Sequence, residues 1–382
     1  MTRLAIISTH PIQYNAPFFR ELNLQEDIVV KVFYTWSQAT GKIYDPGFGV
    51  TREWDIPLLE GYEYEFIKNI SLRPGSHHFF GIINPSLISK VKKWKPNSIL
   101  IYGWSFCSHL QAIKYFHNKI PVLFRGDSTI LDQSSRIRSL VKKMLLKWVY
   151  SSVDLCLSVG TNNTNYFLKY GVENAKVIYL PHAVENDRFQ LDDNYQKVTE
   201  FSNIKRELND KIVFLFVGKY EKKKNPTLLA NVFCKVDFNN VALLFVGQGQ
   251  LERELKEITE GNMNVFYLPF QNQGSMRNIY QLADVLVLPS AYNETWGLVV
   301  NEAMAAGLAI IVSDKVGCAV DLVENEVNGY IFKSGDQRSL FNTINEIRIA
   351  KLSLMKQASV KKIKDFSIKK NAILLRVIVN NL

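Results

Sequence analysis

The sequence predicts an α/β protein built from two tandem, doubly wound, Rossmann-like domains. The chain has 382 residues, more than the roughly 100 to 200 residues typical of one domain. Short, continuously apolar segments alternate with stretches of helical periodicity, a pattern typical of parallel sheets with helices on both faces. The same alternation starts again after a polar, charged stretch at residues 190–210. We therefore expect one Rossmann-like domain on each side of that stretch.

The individual elements follow from this alternation. The elements predicted in the first half are strands at residues 3–8, 28–34, 98–102 and 122–125 and helices at 17–22 and 86–94. The strands predicted in the second half are residues 212–217, 241–246, 265–268, 285–288 and 309–312. The expected domains are residues 1–190 and 211–365, joined by a linker at 191–210 and followed by a C-terminal helix at 366–382. That helix is expected to pack back on the first domain.

Composition excludes several classes of protein. Hydrophobic residues make up 47% of the chain and charged residues 21%, which argues against disordered and polytopic membrane proteins. No apolar run approaches the ~18 residues that span a bilayer, and the apolar segment at residues 4–7 is too short for a signal peptide. We therefore expect a cytoplasmic protein. The cysteines lie far apart and form no C-x-x-C pair, which argues against a zinc site or a disulfide framework.

The positive charge of the chain is concentrated in its first half. The net charge is +10, and residues 68–147 alone hold fourteen Lys and Arg residues against two Asp residues. Such a surplus indicates a polyanionic partner, which could be a nucleic acid, a phospholipid surface or a phosphorylated substrate. The basic stretch lacks zinc-finger and RNA-recognition patterns, so nucleic acid is not expected as a partner and a nucleic-acid-binding protein is the less favoured alternative.

A lysine-rich loop follows the first strand predicted in the second half. Gly218 and Lys219 come directly after that strand, and Lys224 follows in the same loop. Ligands of doubly wound sheets bind beyond the carboxyl ends of the strands, and lysines there can neutralise phosphate groups. Surface lysines are also commonly no more than solvated charge, so this alternative stays open.

Two glutamates accompany a helix predicted at residues 297–306. Glu294 precedes this helix and Glu302 lies within it. Carboxylates accept hydrogen bonds from paired sugar hydroxyls, and the free amides of a helix N-terminus bind phosphate oxygens. Alternatively, Glu294 only stabilises the helix dipole and Glu302 is a solvated residue. The apolar neighbours of Glu302 argue against solvation, because a lone carboxylate in apolar surroundings is costly.

The glutamates belong to a longer motif, which reads L-P-S at 288–290, E-T-W-G-L at 294–298 and E-A-M-A-A-G at 302–307. With its E-x7-E spacing, this motif resembles the signature of the retaining glycosyltransferases of family 4. Segments at 181–189, 217–224, 245–249, 280–285 and 317–329 are similar to the family in the same order. The resemblance covers residues 178–340 and implies the GT-B fold, in which two Rossmann-like domains face a central cleft.

The resemblance implies a nucleotide-diphosphate sugar, of the UDP or GDP type, as the donor substrate. Lys219 and Lys224, next to Gly218, would bind the donor diphosphate. Glu302 would bind the ribose hydroxyls. No metal and no cofactor are expected, since the lysines and a helix N-terminus take the place of a divalent cation.

The same resemblance implies contacts to the donor sugar and a reaction type. Glu294 would hold hydroxyls of the sugar, and the amides of Gly297 and Leu298 would meet the phosphate and the sugar. The implied reaction is hexosyl transfer with retention of the anomeric configuration, in which the departing phosphate oxygen helps to deprotonate the incoming hydroxyl. A nucleotide-sugar epimerase on the same fold is the closest alternative, because fold alone does not settle function.

The first half supplies candidates for the acceptor side. His10, in the loop after the first strand, is a candidate catalytic residue, although a histidine there is more often a turn residue. Arg125 could stabilise leaving-group charge and Asp127 could orient the acceptor, with a structural Arg–Asp pair as the alternative. The full set of acceptor-side candidates is Gln13, Tyr14, Asn15, Arg125 and Asp127.

The expected acceptor is a hydroxyl of a glycan or a lipid-linked glycan, in cell-surface polysaccharide synthesis. Residues 86–95 and 135–150 combine basic residues with an apolar helical stripe, a pattern that suits an anionic membrane surface. We therefore expect a protein that binds peripherally to the inner face of the membrane. The alternative is a helix at 135–150 with a core-facing apolar stripe and a solvated basic back.

Overall fold

The structure is a computed structural model, and it describes residues 1–37, 43–45, 47–132, 136–190, 201–235, 240–349 and 352–382. The described chain divides into two compact units. Unit 1 comprises Met1–Ile43, Pro57–His182 and Ile368–Leu382, and unit 2 comprises Tyr44–Ile56 and Ala183–Ser367. Residues 191–200 of the expected linker, and Ser135 at the start of the expected basic helix, lie outside the described residues.

The strands, in chain order, are β1 Thr2–Ser8, β2 Ile28–Tyr34, β3 Ile43–Asp45, β4 Val50–Arg52, β5 Glu63–Phe66, β6 Ser98–Tyr102, β7 Val122–Gly126, β8 Leu155–Ser158, β9 Val177–Tyr179, β10 Ile212–Val217, β11 Val241–Val246, β12 Val265–Leu268, β13 Val285–Leu288, β14 Ala309–Ser313 and β15 Gly329–Phe332.

The helices are α1 Ala16–Asn23, α2 Leu87–Trp94, α3 Cys107–Phe116, α4 Arg136–Tyr150, α5 Thr161–Lys169, α6 Asn186–Phe189, α7 Ser202–Glu207, α8 Pro226–Cys234, α9 Glu252–Ile258, α10 Met276–Gln281, α11 Leu298–Ala305, α12 Ala319–Leu322, α13 Gln337–Ile349, α14 Leu352–Ile363 and α15 Ile368–Asn380.

Unit 1 is built on a seven-stranded parallel sheet in the order β5-β2-β1-β6-β7-β8-β9. Helices α2 to α5 cover one face of this sheet, where Leu87, Ile113, Leu146 and Phe167 pack into a single core. The central strands β1 and β6 are largely apolar and buried, as expected for strands covered on both faces. The loops that follow β1 and β6 meet at the topological switch point, where the strand order reverses.

Unit 2 repeats this plan with a six-stranded parallel sheet in the order β12-β11-β10-β13-β14-β15. Leu229 of α8, Leu255 of α9 and Ile344 of α13 pack against it in one core. Its switch point lies between β10 and β13. Two parallel sheets with this strand order confirm the predicted fold class of two Rossmann-like domains.

The units divide the chain at other residues than the expected domains. The stretch Pro57–His182 of unit 1 ends at His182, whereas the sequence prediction extended the first domain to residue 190. Unit 2 also takes in Tyr44–Ile56, a segment that the chain reaches between β2 and β5. The C-terminal helix α15 belongs to unit 1 and packs on α1. The side-chain amide of Asn371, on this helix, donates to the carbonyl of Pro181 at 2.7 Å.

Two further observations complete the architecture. All four cysteines are free thiols, of which Cys156 and Cys318 are buried. Among the described residues, no helix combines the length and the apolar character needed to cross a membrane.

Candidate functional site

The candidate site of unit 2 is formed by the loops that follow β10 and β13, the two strands at its switch point. The loops are joined directly, because the amide of Ala291 donates to the carbonyl of Lys223 at 2.7 Å. Ligands of doubly wound sheets bind at such switch points. The chain thus brings the lysine-rich loop and the glutamate-bearing loop to the same edge of one sheet.

Lys224 and Glu294 form an ion pair between these two loops. Their side chains are 17% and 11% exposed, so water screens the pair only in part. The buried Ser290 donates its hydroxyl to the same carboxylate at 2.9 Å. The carboxylate of Glu294 is therefore held by two neighbours.

Glu302 is buried in α11, where only 1% of its surface is exposed. The hydroxyl of the fully buried Tyr280 donates to its carboxylate at 2.6 Å. This partner accounts for a carboxylate in an otherwise apolar helix. The alternative that Glu302 is a solvated surface residue is wrong.

The start of α11 is shaped by glycine. Gly297 caps the helix with φ +99, a backbone conformation that side chains rarely adopt. The helix is then fixed to the preceding loop by Trp296, whose indole N–H donates to the side chain of Asn301 at 2.8 Å. The amides of Gly297 and Leu298, predicted to meet phosphate and sugar, stand at this N-terminus.

A second glycine lets another loop approach the site. A Cβ added at Gly317 would lie 1.8 Å from the carbonyl oxygen of Thr295, closer than any real contact. The resulting close packing allows the amide of Gly317 to donate to the carbonyl of Glu294 at 2.9 Å. The loop after β14 therefore supports the backbone of the site glutamate.

Lys219 follows β10 directly but makes a different contact from Lys224. Its ammonium lies over the ring of Phe48, 4.9 Å from the ring centroid. Gly218, just before it, donates its amide to the Val246 carbonyl at 3.0 Å and so joins the loop to the end of β11. The structure thus pairs Lys224 with a predicted site residue and Lys219 with a residue that the sequence analysis did not single out.

In unit 1, His10 lies half-buried in the loop after β1. Its Nδ1 is 3.0 Å from the hydroxyl of Thr9, and its ring packs edge-on against Trp36 at 5.5 Å. The half-buried residues Gln13, Tyr14 and Asn15 complete the loop that leads into α1. These four candidates therefore share one loop at the switch point of the unit 1 sheet.

Arg125 is the last residue of the strand predicted at 122–125, which is β7 in the structure. It is buried, with 7% of its surface exposed. Its guanidinium donates to the carbonyl of Leu180 at 2.7 Å. Burial lowers the pKa of Arg125, and the nearby Tyr102 and Asp127 oppose that shift. Burial, with the charge of Arg125 nearby, also lowers the pKa of His182 well below its usual value. Arg125 is thus a buried charge with Tyr102, His182 and the exposed Asp127 close enough to influence it or be influenced by it.

The second region that the sequence singled out is α4. Its inner face carries Leu146, Val149 and Tyr150 into the core of unit 1. The apolar stripe predicted for this helix is exposed instead, and it includes Leu140, Val141, Met144, Leu145 and Trp148. The alternative of a core-facing stripe is therefore wrong for these residues, while the side chains of Ile137, Arg136 and Arg138 lie outside the described side chains.

Two of the four lysines at 86–95, a stretch that contains α2, have local partners. Lys90 pairs with Glu65 at 2.9 Å, and the ammonium of Lys92 lies over the ring of Tyr115. By contrast, Lys143 and Lys147 are exposed on α4, on the same helix as the apolar stripe. The more prominent amphipathic surface is thus that of α4.

Three contacting residues were given no role in the sequence analysis. Ser290 shares the post-strand loop with Glu294, so the strand-end rule could have found it. Tyr280 stands on α10, and its sequence context shows no sign that its hydroxyl reaches Glu302. Phe48 comes from a segment far from Lys219 in sequence, and no local pattern could have indicated their contact.

Taken together, the unit 2 site can bind an anion and a polyhydroxylated group. Lys219, Lys224 and the start of α11 offer positive charge and amide donors. Glu294 and Glu302 offer acceptors for hydroxyls. In the part of the chain that the structure describes, no cluster of three or more His, Cys, Asp or Glu residues could hold a metal ion.

The chain is also similar to known sequences. The model of the family "Glycosyl transferases group 1" matches residues 197–360. Spore coat protein SA of Bacillus subtilis is 31% identical over 285 residues, which cover 72% of this chain and 69% of that protein. An uncharacterised glycosyltransferase of Methanocaldococcus jannaschii is 30% identical over 41% of this chain and 40% of its own length. Sulfoquinovosyl transferase SQD2 of Arabidopsis thaliana is 24% identical over 66% of this chain and 50% of its own length.

The fold is also that of solved glycosyltransferases. HepE of Anabaena, solved in complex with UDP and glucose, superposes with a TM-score of 0.72 and 16% identity over 100% of both chains. Sucrose-phosphate synthase of Thermosynechococcus elongatus superposes with a TM-score of 0.72 and 18% identity over 100% of this chain and 99% of the other. The fold is therefore of the GT-B type.

The chain covers less than two thirds of the length of the Methanocaldococcus and Arabidopsis relatives, but it covers more than two thirds of the spore coat protein. The family model in turn spans most of unit 2, including every candidate residue of its switch point. On this evidence the chain belongs to the family of glycosyl transferases group 1.

Proposed function

We propose that the protein transfers a sugar from a nucleotide-diphosphate sugar to a hydroxyl of a glycan or lipid-linked glycan, with retention of the anomeric configuration and without a metal ion. The observation that carries this proposal is the meeting of the Lys224 loop and the Glu294 loop at the switch point of unit 2. A cation beside a hydroxyl-binding carboxylate suits a ligand that joins a phosphate to a sugar. That HepE was solved with UDP and glucose supports a donor of the UDP type.

In this mechanism the protein mainly places the reactants and stabilises charge. Lys219, Lys224 and the amides of Gly297 and Leu298 neutralise the diphosphate. The bond between the sugar C1 and the diphosphate oxygen breaks, and C1 bonds to the acceptor oxygen on the same face. The lysines stabilise the negative charge that develops on the departing phosphate oxygen as its bond to C1 breaks. The acceptor proton passes to this same oxygen.

The two glutamates orient the donor. Glu294, fixed by Ser290, accepts hydrogen bonds from hydroxyls of the sugar. Glu302, fixed by Tyr280, accepts them from the ribose. In each case a protein hydroxyl donates to the carboxylate and so sets its direction.

Unit 1 supplies the acceptor side of the proposal. His10 would serve as a catalytic residue. Residues of the same loop, Gln13, Tyr14 and Asn15, would contact the acceptor. Asp127 is exposed and can accept a hydrogen bond from an acceptor hydroxyl. The buried Arg125 would contribute positive charge close by.

A transfer assay with a panel of nucleotide sugars and lipid-linked acceptors tests the reaction. We expect product with the anomeric configuration of the donor, read from its anomeric proton coupling by NMR, and an unchanged rate in EDTA. Lys224→Ala should lower turnover by roughly 10²- to 10³-fold, the loss typical of one charge-stabilising contact. Unchanged turnover in the Lys219→Ala/Lys224→Ala variant would remove the diphosphate assignment.

The same assay without an acceptor separates the alternative function. An epimerase would convert the donor into an isomeric sugar nucleotide, whereas a transferase leaves it unchanged. The relatives named above carry transferase names where an activity is given, which does not favour an epimerase.

We further propose that α4 lies on an anionic membrane surface. Leu140, Val141 and Met144 are each more than 60% exposed, and an exposed apolar patch of this kind marks an interaction surface. Lys143 and Lys147 extend from the same helix, so the occupant that fits both features is a bilayer with anionic headgroups.

Vesicle sedimentation tests this surface. The protein should bind vesicles containing phosphatidylglycerol and leave pure phosphatidylcholine vesicles unbound. Val141→Asp/Met144→Asp and Lys142→Glu/Lys143→Glu/Lys147→Glu should each lose binding, whereas the control Lys205→Glu/Arg206→Glu on α7 should retain it. Absence of binding by the unmodified protein would overturn the proposal.

A further inference from the structure

A short segment, Tyr44–Ile56, belongs to unit 2 although the chain reaches it between two strands of unit 1. It contains the small sheet β3-β4. The loop after β12 holds it, because Asn272 donates its amide N–H to the carbonyl of Glu53 at 2.6 Å and the backbone N–H of Gly274 donates to the Asp55 carboxylate at 2.9 Å. The segment is thus fastened beside the candidate site by backbone and side-chain bonds.

The tip of this segment contacts Lys219. The ring of Phe48 lies against Phe270, with 4.7 Å between the ring centroids, and its face carries the ammonium of Lys219 at 4.9 Å. Gly47 leaves room for the end of the lysine, because a Cβ there would lie 2.6 Å from Nζ and 2.7 Å from Cδ. Ring, glycine and lysine stem therefore fit together as one contact.

We propose that Phe48 is a positioning residue that holds the ammonium of Lys219 in place for the donor diphosphate. This inference rests on the proposed function, since it takes Lys219 as a diphosphate ligand. Phe48 itself contacts the lysine, and the ring of Phe270 packs against the ring of Phe48.

The physical reason is preorganisation. A flexible lysine loses rotamer freedom when it binds an anion, and a contact that fixes it beforehand lowers this cost. An aromatic face attracts an ammonium through the electron density of the ring, and this contact is not a conventional hydrogen bond. The ring thus helps the lysine to bind.

A double-mutant cycle tests the inference, with UDP and GDP titrated calorimetrically into four proteins: the unmodified chain, Phe48→Ala, Lys219→Ala and the double variant. Phe48→Ala should weaken binding of the nucleoside diphosphate about two- to fivefold, the effect expected of one cation–π contact. Phe48→Tyr, which keeps an aromatic ring at this position, should bind the nucleoside diphosphate as tightly as the unmodified protein. In the Lys219→Ala background, Phe48→Ala should have no further effect, whereas a merely structural role would persist there.

A second variant probes the same contact from the opposite side. Gly47→Ala should displace the end of Lys219 and weaken diphosphate binding to a similar extent, while the control Gly75→Ala, whose Cβ would meet nothing within 4 Å, should not. If Lys219→Ala weakens binding and neither Phe48→Ala nor Gly47→Ala does, the inference is wrong and the proposed function stands. If Lys219→Ala also leaves binding unchanged, the diphosphate assignment of Lys219 fails, and the inference with it.

Discussion

The ammonium of Lys224 is paired with the carboxylate of Glu294, across two loops that follow adjacent strands of the unit 2 sheet. The two residues have opposite charges and different proposed ligands, the diphosphate and the sugar. A diphosphate that binds Lys224 must share this lysine with Glu294 or replace the carboxylate as its partner. If the proposed assignments hold, the ion pair links the binding of the diphosphate to the binding of the sugar.

Glu294→Gln separates these two effects. The amide keeps the shape of the side chain but releases Lys224, so binding of UDP or GDP should be as tight as in the unmodified protein or tighter. Sugar transfer should fall by roughly 10²-fold, as for a lost transition-state contact. Calorimetry and a transfer assay measure the two effects, with Glu257→Gln, from an exposed pair on α9, as the control. A loss of diphosphate binding as large as that of Lys224→Ala would contradict this account.

Tyr280→Phe should destabilise unit 2. It removes the hydroxyl that donates to the buried Glu302, and a buried carboxylate that loses a donor costs about 1–3 kcal/mol in unfolding free energy. Urea unfolding measures the change, and Tyr292→Phe, at a residue 43% exposed, is the matched control. Equal stability of the two variants would show that the hydrogen bond contributes little.

Gly317→Ala tests the close approach of the loop after β14. The new methyl group would overlap the Thr295 carbonyl, so the backbone beneath Glu294 must move. We expect a loss of about 1–3 kcal/mol, typical of overpacking, together with weaker donor binding. If Gly317→Ala has both normal stability and normal donor binding, this close contact is unimportant.

Stability should also depend on pH through a residue outside the site. His109 is fully buried in unit 1, and burial lowers its pKa from 6.5 to about 4 although its ring bonds to the Tyr102 and Gly103 carbonyls. Between these values the unfolded chain binds a proton that the folded chain does not, so stability falls as pH drops. From pH 7 to pH 5 the loss should be about 2 kcal/mol.

Urea unfolding at pH 7 and pH 5 measures this loss. His109→Gln should reduce the difference between the two pH values, whereas the exposed His77→Gln should leave it as in the unmodified protein. An unchanged difference in His109→Gln would show that other groups cause it.

The sequence predicted much of the fold because unit 2 follows simple rules. The strands at 212–217, 241–246, 265–268 and 285–288 match the observed bounds, since each is a short apolar run that ends in a turn. The prediction missed the short strands β3, β4, β5, β8, β9 and β15. In β5, two alternating glutamates, both paired with Lys31, leave no continuous apolar run.

The site was predictable where a charged residue follows a strand. Lys224 and Glu294 share such positions, and the structure pairs them. Contacts made by side chains from distant segments, such as Tyr280 with Glu302 and Phe48 with Lys219, depend on tertiary packing that no local pattern encodes. The sequence also could not predict which side of α4 is exposed, because a stripe of apolar residues can face either a core or a surface partner.

Calorimetric titration of UDP and GDP into the unmodified protein and into Lys219→Ala/Lys224→Ala tests the central claim most directly. The account predicts that at least one of the two nucleotides binds the unmodified protein with a one-to-one stoichiometry and binds the double variant at least about tenfold more weakly. Equal affinity of both proteins for that nucleotide would contradict the assignment of these lysines to a donor diphosphate.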